Sequence, residues 1–248
     1  MKIAGLEVGY SHPVRVMAEI SNAHNGSPTK AIRLIAAAKE AGADIIKFQC
    51  YTPDELVALR GDGPAPSQWG EQGWTMRQLY EKAQTPFHWF PQLVDFCKEI
   101  GMPWFASVFG PDSLALMESL GCPTYKIAAL DNQNDALRTA VLATGKPVVV
   151  SRRKAQWQPG DGLVLYCPEG YPQKQVSLTE CAGCDGFSYH GIDPLVPVYA
   201  VTAGDGVHVI ECHIQLDEEP SELEANISLT ATQFGTMVRE IRKLEAML

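Results

Sequence analysis

The chain has 248 residues, 46% of them hydrophobic, and a formal net charge of −9 with its basic residues scattered singly or in pairs. That length and apolar content suffice for one sizeable core, and an acidic balance without basic runs argues against a nucleic-acid partner. The start, MKIAGLEVGYSHP, lacks a signal core, no stretch approaches the roughly 20 apolar residues of a membrane span, and the seven cysteines show no framework spacing, so a cytosolic protein with reduced thiols is expected.

In chain order, eight short apolar runs each stop at a polar or ionisable residue. The first, VRVMAE, stops at Glu19 and enters a polar loop with Asn22, His24, Asn25 and Gly26. Ser27-Pro28-Thr29 then opens a helix whose apolar residues fall at 31, 32, 34, 35 and 38, ending at Gly42. The second run, ADIIKFQ, stops at Lys47 and Gln49. Between Tyr51 and Phe87 lies a long connection, GDGPAPSQWGEQGW included, read as a lid or as a surface loop pinned by exposed Trp69 and Trp74.

A helix is predicted near 88–100, followed by PWFAS stopping at Ser107, a helix from Asp112 to Leu120, YKIAAL with Lys126, a helix from Asp135 to Thr144, and PVVVS stopping at Ser151. The next connection, RRKAQWQPGDG, is too short for a full crossover helix, so that helix is expected to be missing or reduced to a turn. LVLYCPE follows with Cys167 and Glu169, then a Cys181-x-x-Cys184 read as a loop or helix-end pair, GFSYH with His190, and VHVIECH with His213. A final helix from Thr230 to about Met247 carries apolar residues at 234, 237, 238, 241 and 244. Runs rich in Val, Ile and Phe with little alternation are strands buried on both faces, and eight such units with long gaps imply a single-domain (β/α)8 TIM barrel. Its active site would sit where the C-terminal strand ends converge.

The stops therefore define the candidate chemistry. His190 and His213 end neighbouring strands and could share one divalent metal with positions left for water and substrate. Lys47 and Lys126 would cost several kcal/mol to bury alone, a cost that an anionic substrate removes, and Ser107 and Ser151 would add hydroxyls to such a cradle. A Schiff-base role for one lysine, or a structural ion pair with Glu19, stands beside that reading. Glu19 itself could act as a general base, hold a substrate hydroxyl, or cap loop amides.

AEISNAHNGSPTKAIRLIAAAKEAGADIIKFQ, LYEKAQTPFHWFPQLVDFCKEIGMPWFASVF, YKIAAL, TGKPVVVS, YCPEGYP, GFSYHG and VIECHIQLD, in that order, resemble the sialic acid synthases and their relatives making other nonulosonic acids. The resemblance implies a barrel enzyme that condenses phosphoenolpyruvate with an N-acyl amino-sugar aldehyde, using manganese or magnesium, and that pairs as a homodimer. By position it implies metal binding at His190 and His213, phosphoenolpyruvate at Lys47, Ser107, Lys126, Ser151 and Ser188, the reacting centre at Glu19 and Gln49, and a sugar contact at Tyr171. Several positions differ from the family pattern. Its usual Ser-Thr-Gly after the fifth strand reads Ser151-Arg152-Arg153 here, its aspartate before the first metal histidine is Tyr189, its serine after the strand-four lysine motif is Ala129, and its asparagine before the Tyr-Pro pair is Glu169. Glu169 would repel a phosphate and Arg152 would attract one, so both are candidate pocket residues. The family's C-terminal antifreeze-like domain is not expected in this chain. A non-catalytic barrel that binds ligand or serves in assembly, and a lysine-dependent aldolase or lyase, are the alternatives.

Overall fold

The computed structural model describes residues 1–202 and 206–247. The chain opens with a hairpin of β1 (Lys2–Ile3) and β2 (Leu6–Glu7), turned by Ala4 and Gly5, both at positive φ as a two-residue hairpin turn requires. Ile3 is wholly buried, and the Ala4 amide donates to Thr124 Oγ1 at 3.0 Å, so the hairpin plugs the N-terminal end of the barrel.

Eight parallel strands follow: β3 (Arg15–Glu19), β4 (Ile45–Cys50), β5 (Trp104–Val108), β6 (Tyr125–Ile127), β7 (Val148–Arg152), β8 (Leu163–Tyr166), β9 (Gly186–Tyr189) and β10 (Val209–Gln215). Each pairs with the next, and β10 pairs back to β3, which closes the expected (β/α)8 barrel. A short β11 (Ser228–Thr230) adds to the C-terminal half of β10. Almost every strand residue is buried, because one face of each strand fills the barrel and the other meets helices.

The helices are α1 (Pro28–Glu40), α2 (Pro53–Arg60), α3 (Ser67–Glu71), α4 (Met76–Ala83), α5 (Phe90–Glu99), α6 (Pro111–Ser119), α7 (Asp135–Ala143), α8 (Leu178–Ala182), α9 (Leu195–Val201) and α10 (Ala231–Glu245). Their starts follow local chemistry. Ser27, Asn134 and Thr230 each accept a backbone N–H of the first turn, as side-chain caps do. The helix starts and ends expected from the sequence for α1, α5, α6, α7 and α10 fall within a few residues of those observed.

No helix joins β7 to β8 among the described residues, as the short connection implied. Its place is held by charge: the Asp161 carboxylate, fully buried, accepts from Arg138 Nη1 at 2.7 Å and from Arg152 Nη2 at 2.8 Å. The long connection after β4 differs from the expected loop, since it holds α2, α3 and α4. Trp69 and Trp74 are only partly exposed in it, because the Pro64–Thr75 bridge and the Ala65 N–H to Trp74 O bond at 2.8 Å fold the segment back on itself. Tyr51, Leu56, Tyr80 and Phe109 form a small second core beneath it. Glu55 fastens it to α6 by accepting from the Ser113 amide at 2.9 Å, and Arg60 fastens it to the loop after β6 through Asp131.

Candidate active site at the barrel mouth

The C-terminal strand ends surround a cavity of about 450 Å³, a volume suited to a small metabolite. Its floor is ionic and its outer wall is apolar, with Leu56, Trp69, Leu79, Phe109 and Leu130 among the lining residues.

On the floor, register and strand period bring four charges together. Glu19 ends β3 directly opposite Lys47 of β4, and the Lys47 ammonium donates to its carboxylate. Lys47 Nζ also donates to Ser107 Oγ at 3.2 Å and lies 3.9 Å from Glu211 Oε2. Glu211, on β10, accepts from Lys126 of β6 and, at 2.9 Å, from the Ser188 hydroxyl of β9. All four ions are at least 97% buried, so each needs the others: an isolated buried ion costs several kcal/mol. Burial works against the Glu211 carboxylate, yet Lys126 and Lys47 hold it down to about 2. Burial likewise draws the Lys47 ammonium down to about 7, with Lys126 adding to that and Glu211 opposing it.

The two imidazoles sit beside this floor, His190 just past β9 and His213 within β10, with ring centroids 5.0 Å apart. His213 Nδ1 lies 3.2 Å from Glu224 Oε2. A carboxylate can only accept, so Nδ1 carries a proton and Nε2 is left as the nitrogen a metal would use. Burial would raise Glu224, but His213, the Tyr171 hydroxyl and Ser21 hold it to about 2. Burial, with His213 beside it, pushes His190 well below its usual range, so its ring is neutral. Gln173 orients that residue: its Oε1 accepts the His190 amide at 3.0 Å, while its Nε2 has Ser188 O at 3.1 Å and Pro168 O at 3.2 Å to receive two hydrogens. Two imidazoles this close fit a divalent ion as a pair of ligands. Among the described residues no three His, Cys, Asp or Glu side chains form a complete cage, so water and substrate oxygens would fill the other positions.

Of the residues singled out from the sequence, Lys47, Gln49, Ser107, Lys126, Ser151, Tyr171, Ser188, His190 and His213 line this one cavity. Glu19 lies behind Lys47, wholly buried, where it also accepts the Ser21 amide at 2.8 Å. Two expectations fall elsewhere. Arg152 is outside the lining and is bound to Asp161, because successive strand residues face opposite sides and Ser151 already takes the inward one. Glu169 is exposed beyond the end of β8 and does not line the cavity.

Glu211, Glu224, Arg153 and Gln173 are functional candidates that the sequence reading missed. The same alternation carried a signal for two of them. Glu211 stands two residues before His213, and Arg153 two residues after Ser151, so each shares its partner's inward face. Glu224 and Gln173 come from loops, where no period predicts direction.

A family model described as the NeuB family matches residues 34–183 and 164–248. The chain belongs to the NeuB family. Among its NeuB-type relatives, pseudaminic acid synthase of Helicobacter pylori is 30% identical, over 93% of this chain and 74% of the relative. Pseudaminic acid synthase of Campylobacter jejuni is 31% identical, over 95% of this chain and 75% of the relative. The crystal structure of N-acetylneuraminic acid (sialic acid) synthetase from Leptospira borgpetersenii superposes with a TM-score of 0.83 at 22% identity, covering 100% of this chain and 89% of that one, and so shares its fold.

Proposed function

We propose that this barrel condenses phosphoenolpyruvate with an N-acyl amino-sugar aldehyde to form a nonulosonic acid, releasing phosphate. The observation that carries the reading is the meeting of two lysine side chains and two imidazoles in one cavity. Relatives that make pseudaminic acid support the same class of product.

His190 and His213 would hold the divalent ion, manganese or magnesium, which when bound supplies Lewis-acid polarisation of the aldehyde oxygen. Lys47, Lys126 and the Ser107, Ser151 and Ser188 hydroxyls bind the anionic groups of phosphoenolpyruvate. Glu19 holds the Lys47 ammonium in place from behind rather than touching the reactants. Gln49 lines the floor two residues beyond Lys47, on the same face of β4. C3 of phosphoenolpyruvate attacks the aldehyde carbon, and the former carbonyl oxygen becomes a hydroxyl. Water then adds at C2, and the proton it releases goes to the former carbonyl oxygen, completing that hydroxyl. The C2–O bond to phosphate breaks and leaves a C2 carbonyl. Tyr171, at the rim, would contact the sugar.

The reading extends to one catalytic barrel domain acting in the cytosol as a homodimer, which sedimentation at several concentrations would check. The main test is phosphate release from phosphoenolpyruvate with N-acyl amino-sugar aldehydes, with and without manganese. Release is expected only when aldehyde and metal are both present; a protein that neither binds nor consumes phosphoenolpyruvate overturns the proposal. One observation favours a second reading, a covalent lysine: burial brings Lys47 to about 7, which populates a neutral amine near neutrality. Borohydride trapping with a carbonyl substrate separates the two, since only the covalent reading predicts a stable adduct.

A further inference from the structure

The cations that line the cavity differ in one respect. Lys47 is neutralised by Glu19 and Glu211, Lys126 by Glu211, and Arg60, on the wall, by two hydrogen bonds to Asp131. Arg153 has no carboxylate within ion-pair distance among the described residues. Its Nη1 donates instead to the Cys167 and Pro168 carbonyls, and to Cys167 Sγ at 3.5 Å. Those contacts occupy one nitrogen of the guanidinium and steady it against the end of β8, while the side chain lines the cavity.

A second observation lies two residues back. Ser151 Oγ is buried, lines the same cavity and has no hydrogen-bond partner among the described residues. Leaving a buried hydroxyl without a partner is costly, so it is a site awaiting an acceptor. Period two puts Ser151 and Arg153 on one side of the chain, while Arg152 between them turns to Asp161. An unneutralised guanidinium beside an unsatisfied hydroxyl is the donor set an oxyanion needs, and the fork of a guanidinium matches phosphate oxygens. The phosphate of phosphoenolpyruvate carries more charge than its carboxylate, and the two lysines already hold carboxylate counter-charges. The synthases that this chain resembles usually carry glycine at the Arg153 position.

We propose that Arg153, which this chain adds to the pocket, works with Ser151 as a phosphate grip, holding the phosphate of phosphoenolpyruvate and then the inorganic phosphate released. The inference rests on the phosphoenolpyruvate reading above, and the test separates the two. Phosphoenolpyruvate, inorganic phosphate and pyruvate are titrated calorimetrically into the parent protein, Arg153→Met, Arg153→Lys and Ser151→Ala, with thermal melts to verify folding. Removing a charge-assisted hydrogen-bond donor should weaken phosphoenolpyruvate and phosphate by roughly 10- to 100-fold in Arg153→Met. Arg153→Lys should recover part of that loss, Ser151→Ala should lose less than Arg153→Met, and pyruvate should be insensitive to all three. If the parent binds phosphoenolpyruvate and a folded Arg153→Met binds it equally well, the subsite is overturned and the phosphoenolpyruvate reading stands. If pyruvate is weakened instead of phosphate, the assignment to phosphate is overturned. A parent protein that binds neither phosphoenolpyruvate nor phosphate overturns both proposals.

Discussion

Replacing Glu211 with glutamine keeps the side-chain shape and an acceptor for the Ser188 hydroxyl, but it takes the carboxylate away from Lys126. The Lys126 ammonium, 3% exposed, then has no ion-pair partner among the described residues, while Lys47 retains Glu19. Removing one member of a buried pair costs about 3–5 kcal/mol, and the surviving Glu19 contact favours the lower end. For a chain of this length each kcal/mol moves the melting temperature by roughly 2–4 °C, so Glu211→Gln should melt roughly 6–12 °C below the parent. Adding Lys126→Met to that variant should restore most of the loss, because no unpaired ion then remains buried. The single variant should also bind inorganic phosphate more tightly than the parent, since the floor gains one net positive charge. Stability and anion affinity thus move in opposite directions. Thermal melts and phosphate calorimetry on the parent, the single and the double variant read both. A single variant that melts with the parent, or a double variant no more stable than the single one, would refute the shared counter-charge.

His24 offers a pH test away from the reacting groups. Burial depresses it from 6.5 to about 4, and the Gly26 amide donating to its Nδ1 at 3.0 Å fixes the neutral ring, whose Nε2 bonds Thr85 Oγ1. The unfolded chain takes up that proton first, so its contribution is complete above pH 6.5 and is lost as pH falls to about 4, a loss of about 3 kcal/mol. Urea unfolding across that window should show the decline, and an imidazole titrating at its ordinary value by NMR would contradict it. Asp161→Asn, which leaves Arg138 and Arg152 facing each other without a carboxylate, should cost about 3–5 kcal/mol in urea unfolding; a loss under about 1 kcal/mol would mean that the cluster does not brace the β7–β8 connection. Glu224→Gln frees His213 Nδ1 from its carboxylate and should weaken manganese binding roughly 10- to 100-fold by calorimetry. Unchanged manganese affinity would remove Glu224 from the proposed metal site.

The barrel was legible because its strands are buried on both faces and its helices carry caps at the right spacing, signals that belong to local sequence. The candidate site was legible wherever a polar side chain interrupts an apolar run, as Lys47, Ser107, Lys126 and His213 do. Chemical character alone misled at Arg152, whose charge suggested a phosphate contact while its parity turned it to Asp161. Glu211 was hidden for the opposite reason: it sits inside an apolar run, and only its two-residue offset from His213 shows that it faces inward. Glu224 and Gln173 reach the mouth from loops whose direction depends on tertiary contacts such as His213 and His190. The short helices after β4 escaped notice because turn-forming Gly and Pro residues separate pieces too brief to show a period.

The strap from Arg153 to Gly162 gives the barrel an uneven rim. Elsewhere around the ring a helix insulates the strands, but here the outer cladding is an irregular ribbon anchored by one acid between two bases. Amide deuteration should enter the wall at this seam before the other strand junctions. Because the ribbon begins at Arg153, a change in its length or anchorage would re-aim that guanidinium while leaving the ring of strands closed, so ligand preference here can shift independently of the scaffold.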